Sequence, residues 1–364
     1  MSTTLAQVLT VPGSFELREF ALPQTSNLGG TLDVLSCGLC GSDVASFGGQ
    51  KDHGGSVILG HEVIGRIGEI GEDTARSWGV KVGDRIAIEE GIPCMTCEFC
   101  RRGQHRVCTR SGVRYGDTTI DVAPSLWGGF ARQMYLHPST QIHRVPDSVP
   151  DNVATLFIPL SNGLAWTRDS GRLRPGQRVV VIGAGQHGIA SALAALRGGA
   201  HALVVGTHFD RNRLDLAASY GCTTLAVDPN QSPTDAIVET LGGRADLVID
   251  MTPGATMPLV TSVEVADTGG CVLWGGLKRG SGRAAVPVDD IIRKELRIQG
   301  LWARPSWAIA AAFDWMREVP DLARLCEKSY GLFELETAFR AATDADASKR
   351  PLHVAIVNSE SEQS

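Results

Sequence analysis

The chain has 364 residues, 20% of them charged, with a formal net charge of −6 and 42 glycines. That length can fill two hydrophobic cores, while an acidic balance without a basic stripe argues against nucleic acid or an anionic membrane surface as a partner. The opening residues MSTTLAQVLT lack a charged stretch followed by an apolar run, and no segment approaches the ~20 apolar residues of a membrane span. A cytoplasmic protein with reduced thiols is expected.

Residues 1–150 alternate short apolar runs with Gly, Pro and Asp turns. TLDVLSCG, SVILGHEVIGRIGEI, VGDRIAIEE and ARQMYLHP read as strands of a barrel-like or mixed sheet. Two segments here, LCGSDVASFGG and LGHEVIG, carry Cys40, His61 and Glu62. A thiolate, an imidazole and a carboxylate suit a metal, but each also has a plain reading as a buried cysteine, a satisfied histidine or a solvated glutamate.

The stretch PCMTCEFCRRGQHRVC follows. Cys94, Cys97 and Cys100 are separated by two residues each, and Cys108 comes seven residues later. Disulfides conflict with the reducing compartment, and nine cysteines cannot all pair within one chain. Four soft ligands converging from one loop suit tetrahedral Zn²⁺, and a site closed by four sulfurs is structural because it leaves no position for substrate. The competing reading is a set of buried or redox thiols.

From about residue 175 the pattern changes. RVVVIG, HALVVG, TTLAVD, ADLVIDM, GCVLWGG and ELRIQGLW read as buried strands, with helical patterns such as GIASALAALRGG and RNRLDLAASYG between most of them. Strand and helix in alternation predict an α/β protein with a doubly wound parallel sheet. RVVVIGAGQHG ends a strand in Gly183, Gly185 and Gly188, with Gln186 and His187 opening the helix that follows. The first glycine permits a tight turn, the second lets backbone approach a pyrophosphate, and the third lets helix and strand pack closely. The next strand runs into Thr207 and His208, with Arg211 and Arg213 nearby. This setting suits a ribose 2′-phosphate, so NADP(H) is preferred over NAD(H), although Asp210 offers an acidic alternative. Beyond Leu301 come a helix, SWAIAAAFDWMREV, then FELETAFRAATD, a strand HVAIV and a polar tail NSESEQS expected to be disordered.

Taken together, CGSD at 40–43, GHExxG at 60–65, GDR at 83–85, the four-cysteine lobe, GGFA at 128–131 and G-x-G-x-x-G at 183–188 resemble one family. It is the zinc-dependent alcohol dehydrogenases of the medium-chain dehydrogenase/reductase superfamily, in a polyol-dehydrogenase-like branch. The resemblance spans nearly the whole chain. It implies a GroES-like β-rich catalytic domain over 1–158, with a structural zinc lobe at 91–110. A Rossmann domain over 159–302 and a return to the catalytic domain over 303–364 complete the implied architecture, with the active site in the cleft between domains.

The resemblance further implies a catalytic zinc on Cys40 and His61, with Glu62 as a ligand or close neighbour. Ser42 matches the hydroxyl that starts a proton relay, and Asp43 the residue that orients the zinc-bound histidine. Cys94, Cys97, Cys100 and Cys108 match the structural site. Asn162 matches a residue packed against the nicotinamide, although a cap or turn role stays open. Phe47, Trp127 and Trp302 fall in segments that line the substrate cleft, or are ordinary core aromatics. If they line it, the small-molecule substrate has an apolar body. The strand near ELRIQGLW suggests a homodimer or homotetramer.

Two positions depart from the pattern. FIPLSN places Ile158 where polyol-dehydrogenase-like members carry a glutamate ligand, and Ala45 stands where many carry a proton-passing histidine. Three protein ligands and one open position still make an acceptable catalytic zinc site. The expected function is hydride transfer between NADP(H), or NAD(H), and an alcohol/carbonyl pair. Two alternatives are an NADPH-dependent reductase of an iminium or conjugated alkene, and a catalytically silent NADPH-binding protein.

Overall fold

Short apolar runs bounded by glycine become strands in the computed structural model, which describes residues 2–24, 26–279 and 283–358. The strands sort into two units. The first contains Met1–Ile158, Ile309–Ala345 and Arg350–Ser364. It opens with an antiparallel ribbon, β1 (Thr3–Val11) and β2 (Ser14–Ala21). Then come β3 (Gly30–Gly38), β4 (Glu62–Ile70), β5 (Arg85–Ile88), β6 (Gln133–Leu136) and β7 (Ile142–Arg144).

The second unit, Pro159–Ala308 with Asp346–Lys349, holds six strands. They are β8 (Arg178–Ile182), β9 (His201–Thr207), β10 (Thr223–Val227), β11 (Ala245–Asp250), β12 (Ala266–Trp274) and β13 (Arg297–Gly300). All their pairings are parallel, in the order β10-β9-β8-β11-β12-β13. Val179, Val180, Val181, Val248, Ile249 and Val272 are fully buried, as expected of strands covered on both faces. The order reverses between β8 and β11, which makes their carboxyl ends a topological switch point.

The chain then returns to the first unit as β14 (Lys328–Gly331) and β15 (Val354–Val357). These complete a seven-stranded sheet ordered β14-β15-β3-β4-β5-β7, with β6 pairing Gly30–Asp33 of β3 off this path. Leu32, Val63, Ile67, Ile86, Phe130, Phe339 and Ile356 form its core. Asn358, read from the sequence as the start of the tail, belongs to this fold. Its Nδ2 donates to the carbonyls of Val34 and Ala131 at 2.9 and 3.0 Å. The remaining tail, 359–364, lies outside the described residues.

One strand is shorter than its apolar run. SVILGHEVIG is apolar from Val57 onward, yet β4 begins only at Glu62. Gly60 at φ +90° breaks the extended path, while fully buried Val57 bridges to Leu9 and Thr119 instead. The break leaves His61 just before the strand and Glu62 as its first residue. Among the described residues no helix is long and apolar enough to cross a membrane.

Candidate metal centres and dinucleotide site

The cysteine lobe is built by backbone that turns its amides toward sulfur. Cys97 caps the four-residue helix Glu98–Arg101, its Sγ accepting from the Cys100 amide at 3.5 Å. Cys94 Sγ accepts from the Cys97 amide at 3.3 Å, and Cys108 Sγ from the Cys94 amide at 3.3 Å. The four sulfurs lie within 4.8 Å of one another. Cys94–Cys100 and Cys97–Cys108 are each 3.9 Å apart. A tetrahedron with Zn–S bonds of about 2.3 Å has edges of about 3.8 Å, which these two distances match. The Thr96 hydroxyl, with the Thr96 and Cys97 amides, draws the Cys94 thiol down to about 5, whereas burial pushes Cys100 up to about 12. A cation would settle that conflict by holding all four as thiolates.

The other cluster hangs on one buried carboxylate. Cys40 precedes the helix Gly41–Phe47, and its amide donates to Asp43 Oδ2 at 2.9 Å. Asp43 Oδ1 accepts from the Gly60 amide at 3.3 Å and faces His61 Nδ1 at 3.5 Å. Asp43, 1% exposed, thereby ties the Cys40 backbone, the loop before β4 and the imidazole together. His61 Nε2 is left toward Ser42 Oγ at 3.4 Å. Burial alone would lower the imidazole, but the Asp43 charge and hydrogen bonds to Asp43 and Cys40 hold it well above its usual value. Cys40 Sγ and a carboxylate oxygen of fully buried Glu62 lie within 4.8 Å of each other. Soft sulfur, imidazole nitrogen and carboxylate oxygen are a donor set suited to zinc, and a cation would offset two buried carboxylates. Burial, then the Asp43 and Glu62 charges, push the thiol of neighbouring Cys37 well above its usual value.

In the second unit each glycine of the G-x-G-x-x-G motif shows its own reason. Gly183 has φ +109°, a region side chains avoid. A Cβ on Gly185 would meet open space, so a ligand can approach the backbone there. A Cβ on Gly188 would collide with the Gly183 carbonyl. Gln186 and His187 open the helix Gln186–Arg197, whose N-terminal amides offer an anion site. Asn162 Nδ2 lies 3.5 Å from His187 Nδ1, and the Trp166 ring is 5.6 Å from the His187 ring. At the end of β9, Asp210 Oδ2 accepts from the Thr207 amide and hydroxyl at 2.9 and 2.8 Å. Its Oδ1 lies 3.8 Å from Arg213, and His208 stacks on Phe209 at 3.9 Å.

Family comparisons agree with both units. Residues 31–147 match the alcohol dehydrogenase GroES-like domain, and residues 188–318 match the zinc-binding dehydrogenase domain. A probable alcohol dehydrogenase of Mycobacterium tuberculosis is 37% identical over 85% of this chain and 86% of its own length. The chain belongs to the zinc-type alcohol dehydrogenases of the medium-chain dehydrogenase/reductase superfamily. A probable D-xylulose reductase A of Aspergillus fumigatus is 31% identical over 74% of this chain and 73% of its own. The fold is that of an alcohol dehydrogenase from Thermotoga maritima, with TM-score 0.86 and 24% identity over 99% of this chain and 100% of the other. This dehydrogenase is thus an oxidoreductase of the alcohol and polyol type.

Of the expected pocket aromatics of the dehydrogenase, Trp127 is a buried packing residue, and Phe47 is packed but only partly buried. Trp127, 2% exposed, donates its Nε1 to the Val122 carbonyl and meets Tyr135 edge-on, so it presents no surface to a substrate. Phe47 stacks on Phe15 at 5.3 Å and touches Phe339 at 4.8 Å. Trp302 is 49% exposed, and Ile158 and Ala45 are buried apolar positions.

The structure also reveals residues the sequence reading passed over. His53 Nε2 lies 2.8 Å from Ser46 Oγ, its Nδ1 lies 2.8 Å from Asp117, and Lys51 pairs with Asp117 at 2.5 Å. His53 and Asp117 border a cavity of about 480 Å³ also lined by His105, Arg106 and Arg114. In the second unit Asp250, Thr252 and Lys278 form a buried polar network. A charged residue ending an apolar parallel strand, VID, was the available signal.

Proposed function

We propose that this dehydrogenase exchanges a hydride between an alcohol/carbonyl pair and NADP(H), with zinc at two places. The observations carrying this reading are Cys40 with buried Glu62 within 4.8 Å of its sulfur, and His61 held by Asp43 beside the Ser42 hydroxyl. Bound there, zinc would supply Lewis-acid chemistry that lowers the pKa of an alcohol. Cys40, His61 and Glu62 hold the metal in that reading. Asp43 fixes the tautomer of His61 by taking Nδ1–H, which leaves Nε2 for coordination. Ser42 Oγ takes the proton that the alcohol loses. Asn162 and the helix start at Gln186 and His187 seat the dinucleotide, and Cys94, Cys97, Cys100 and Cys108 hold the closed structural ion.

For the cofactor, Asp210 is bound back to Thr207 and paired with Arg213, so its charge is partly spent within its own turn. His208 and the nearby Arg211 then favour a 2′-phosphate. A kcat/KM for NADPH at least about tenfold above that for NADH supports this preference, and the reverse ratio overturns it. The protein works in the cytoplasm as a homodimer or homotetramer. The edge strand β13 offers a pairing surface for such assembly.

The deciding experiment is a metal count on purified wild type and Cys40→Ala. Two zincs per chain falling to one supports the catalytic metal; one zinc in both proteins sinks it. With an accepted alcohol, Ser42→Ala lowers kcat at least about a hundredfold, the usual worth of proton-transfer catalysis. Turnover of a conjugated alkene that survives Ser42→Ala would instead favour the reductase alternative.

A further inference from the structure

A dinucleotide belongs over the carboxyl ends of β8 and β11, where the strand order reverses. Its pyrophosphate sits at the Gly183–Gly188 turn and its adenosine ribose at the end of β9. The adenosine half therefore runs over β9 and β10, and the nicotinamide half is left the ends of β11 and β12. A buried ion pair occupies that side. Asp250, fully buried, ends β11, and Lys278 follows β12 with a side chain only 9% exposed.

Lys278 Nζ donates to Asp250 Oδ2 at 2.7 Å, to the Thr252 carbonyl at 2.5 Å and to Thr252 Oγ1 at 3.0 Å. Asp250 Oδ1 accepts from the Thr252 amide and hydroxyl at 2.9 and 2.5 Å. Backbone bonds lace the same two turns. Gly275 and Gly276 donate to the Asp250 carbonyl at 2.9 and 3.2 Å, and Gly254 donates to the Leu277 carbonyl at 3.1 Å. The Met251 amide donates to the Ile182 carbonyl at 2.8 Å, tying this assembly to the strand that ends in the glycine turn. A Cβ at Gly276 would collide with the Thr252 carbonyl, so the turns pack with no spare room.

A buried charge pair is a costly way to hold two loops, since apolar side chains of similar volume often serve stability as well. What it adds is one fixed arrangement of hydrogen bonds. We propose that Lys278 is a positioning residue: with Asp250 and Thr252 it locks the turns 251–254 and 275–278 into one wall that seats the nicotinamide half of the cofactor. The role rests on the nicotinamide-dinucleotide reading above.

The test compares whole cofactors with fragments that lack nicotinamide. Lys278→Met alone strands a buried carboxylate and is expected to lower Tm. The double variant Asp250→Asn with Lys278→Met removes both charges and keeps an acceptor for the Thr252 amide. Titration calorimetry on the double variant is expected to give NADPH and NADH Kd values at least about tenfold weaker than wild type. Kd values for ADP-ribose and 2′-phospho-ADP-ribose should stay within about twofold. Dinucleotides and fragments weakening together would overturn the proposal, because the damage would then be general. So would unchanged binding of all four. Wild type that binds none of them would remove the dinucleotide reading itself, and the inference with it.

Discussion

Asp117 pairs with the Lys51 ammonium at 2.5 Å and faces the His53 Nδ1 at 2.8 Å. Burial alone would raise its carboxyl, but hydrogen bonds and charge from His53 and Lys51 hold it well below the usual carboxylate range. A carboxylate whose folded pKa is depressed adds stability above its unfolded value near 4, and loses it as pH falls toward the folded value. Asp117→Asn should therefore cost about 1–2 kcal/mol at pH 7, and the gap from wild type should shrink steadily below about pH 4. Urea unfolding at pH 7, 5 and 3.5 measures this; a gap that stays constant across the series would contradict the ion pairing. Asp43 makes a related point about legibility. Its place after CGS in the sequence suggested a partner for a histidine, but its bonds to the Cys40 and Gly60 amides could be seen only in the fold.

At the scale of elements, the helix Glu98–Arg101 is far too short to persist alone, since an isolated helix of fewer than ~12 residues is marginal in water. Cys97 caps it, and in the proposed reading the four sulfurs would share one ion that holds it in place. Cys97→Ser should lose one zinc, expose the lobe to limited proteolysis between residues 91 and 110, and leave the metal at Cys40 in place. A lobe as resistant as wild type would mean the cysteines hold it without metal. The ligand spacing was legible because all four cysteines fall within one loop of fifteen residues, 94–108. The late start of β4 was not, because apolarity in Val57–Leu59 reports burial and not strand pairing.

At the scale of the whole molecule, β15 is the most distant contribution to the first unit, lying between β14 and β3 within one sheet. Its pairing with β3 joins Ile356 to Cys37 and Ala355 to Gly38, just before Cys40. Truncation after Arg350 should therefore abolish cooperative unfolding of the first unit, not merely trim an end. Calorimetry on the truncated chain checks this; a full-sized unfolding transition would show that β15 is dispensable.

The sequence alone determined what depends on near neighbours. Strand–helix alternation, the glycine turn and the cysteine lobe are each written within a few dozen residues, because hydrogen-bond periodicity, backbone freedom and loop reach are local properties. Tertiary structure alone decided which distant residues meet. Asp250 and Lys278 are 28 positions apart, and His53 and Asp117 are 64 apart. No spacing rule links such pairs, because only the packing of whole strands brings them within reach. The same packing decided that Trp127 would fill a core, since aromatic side chains suit an interior and a substrate cleft equally until the neighbours are in place.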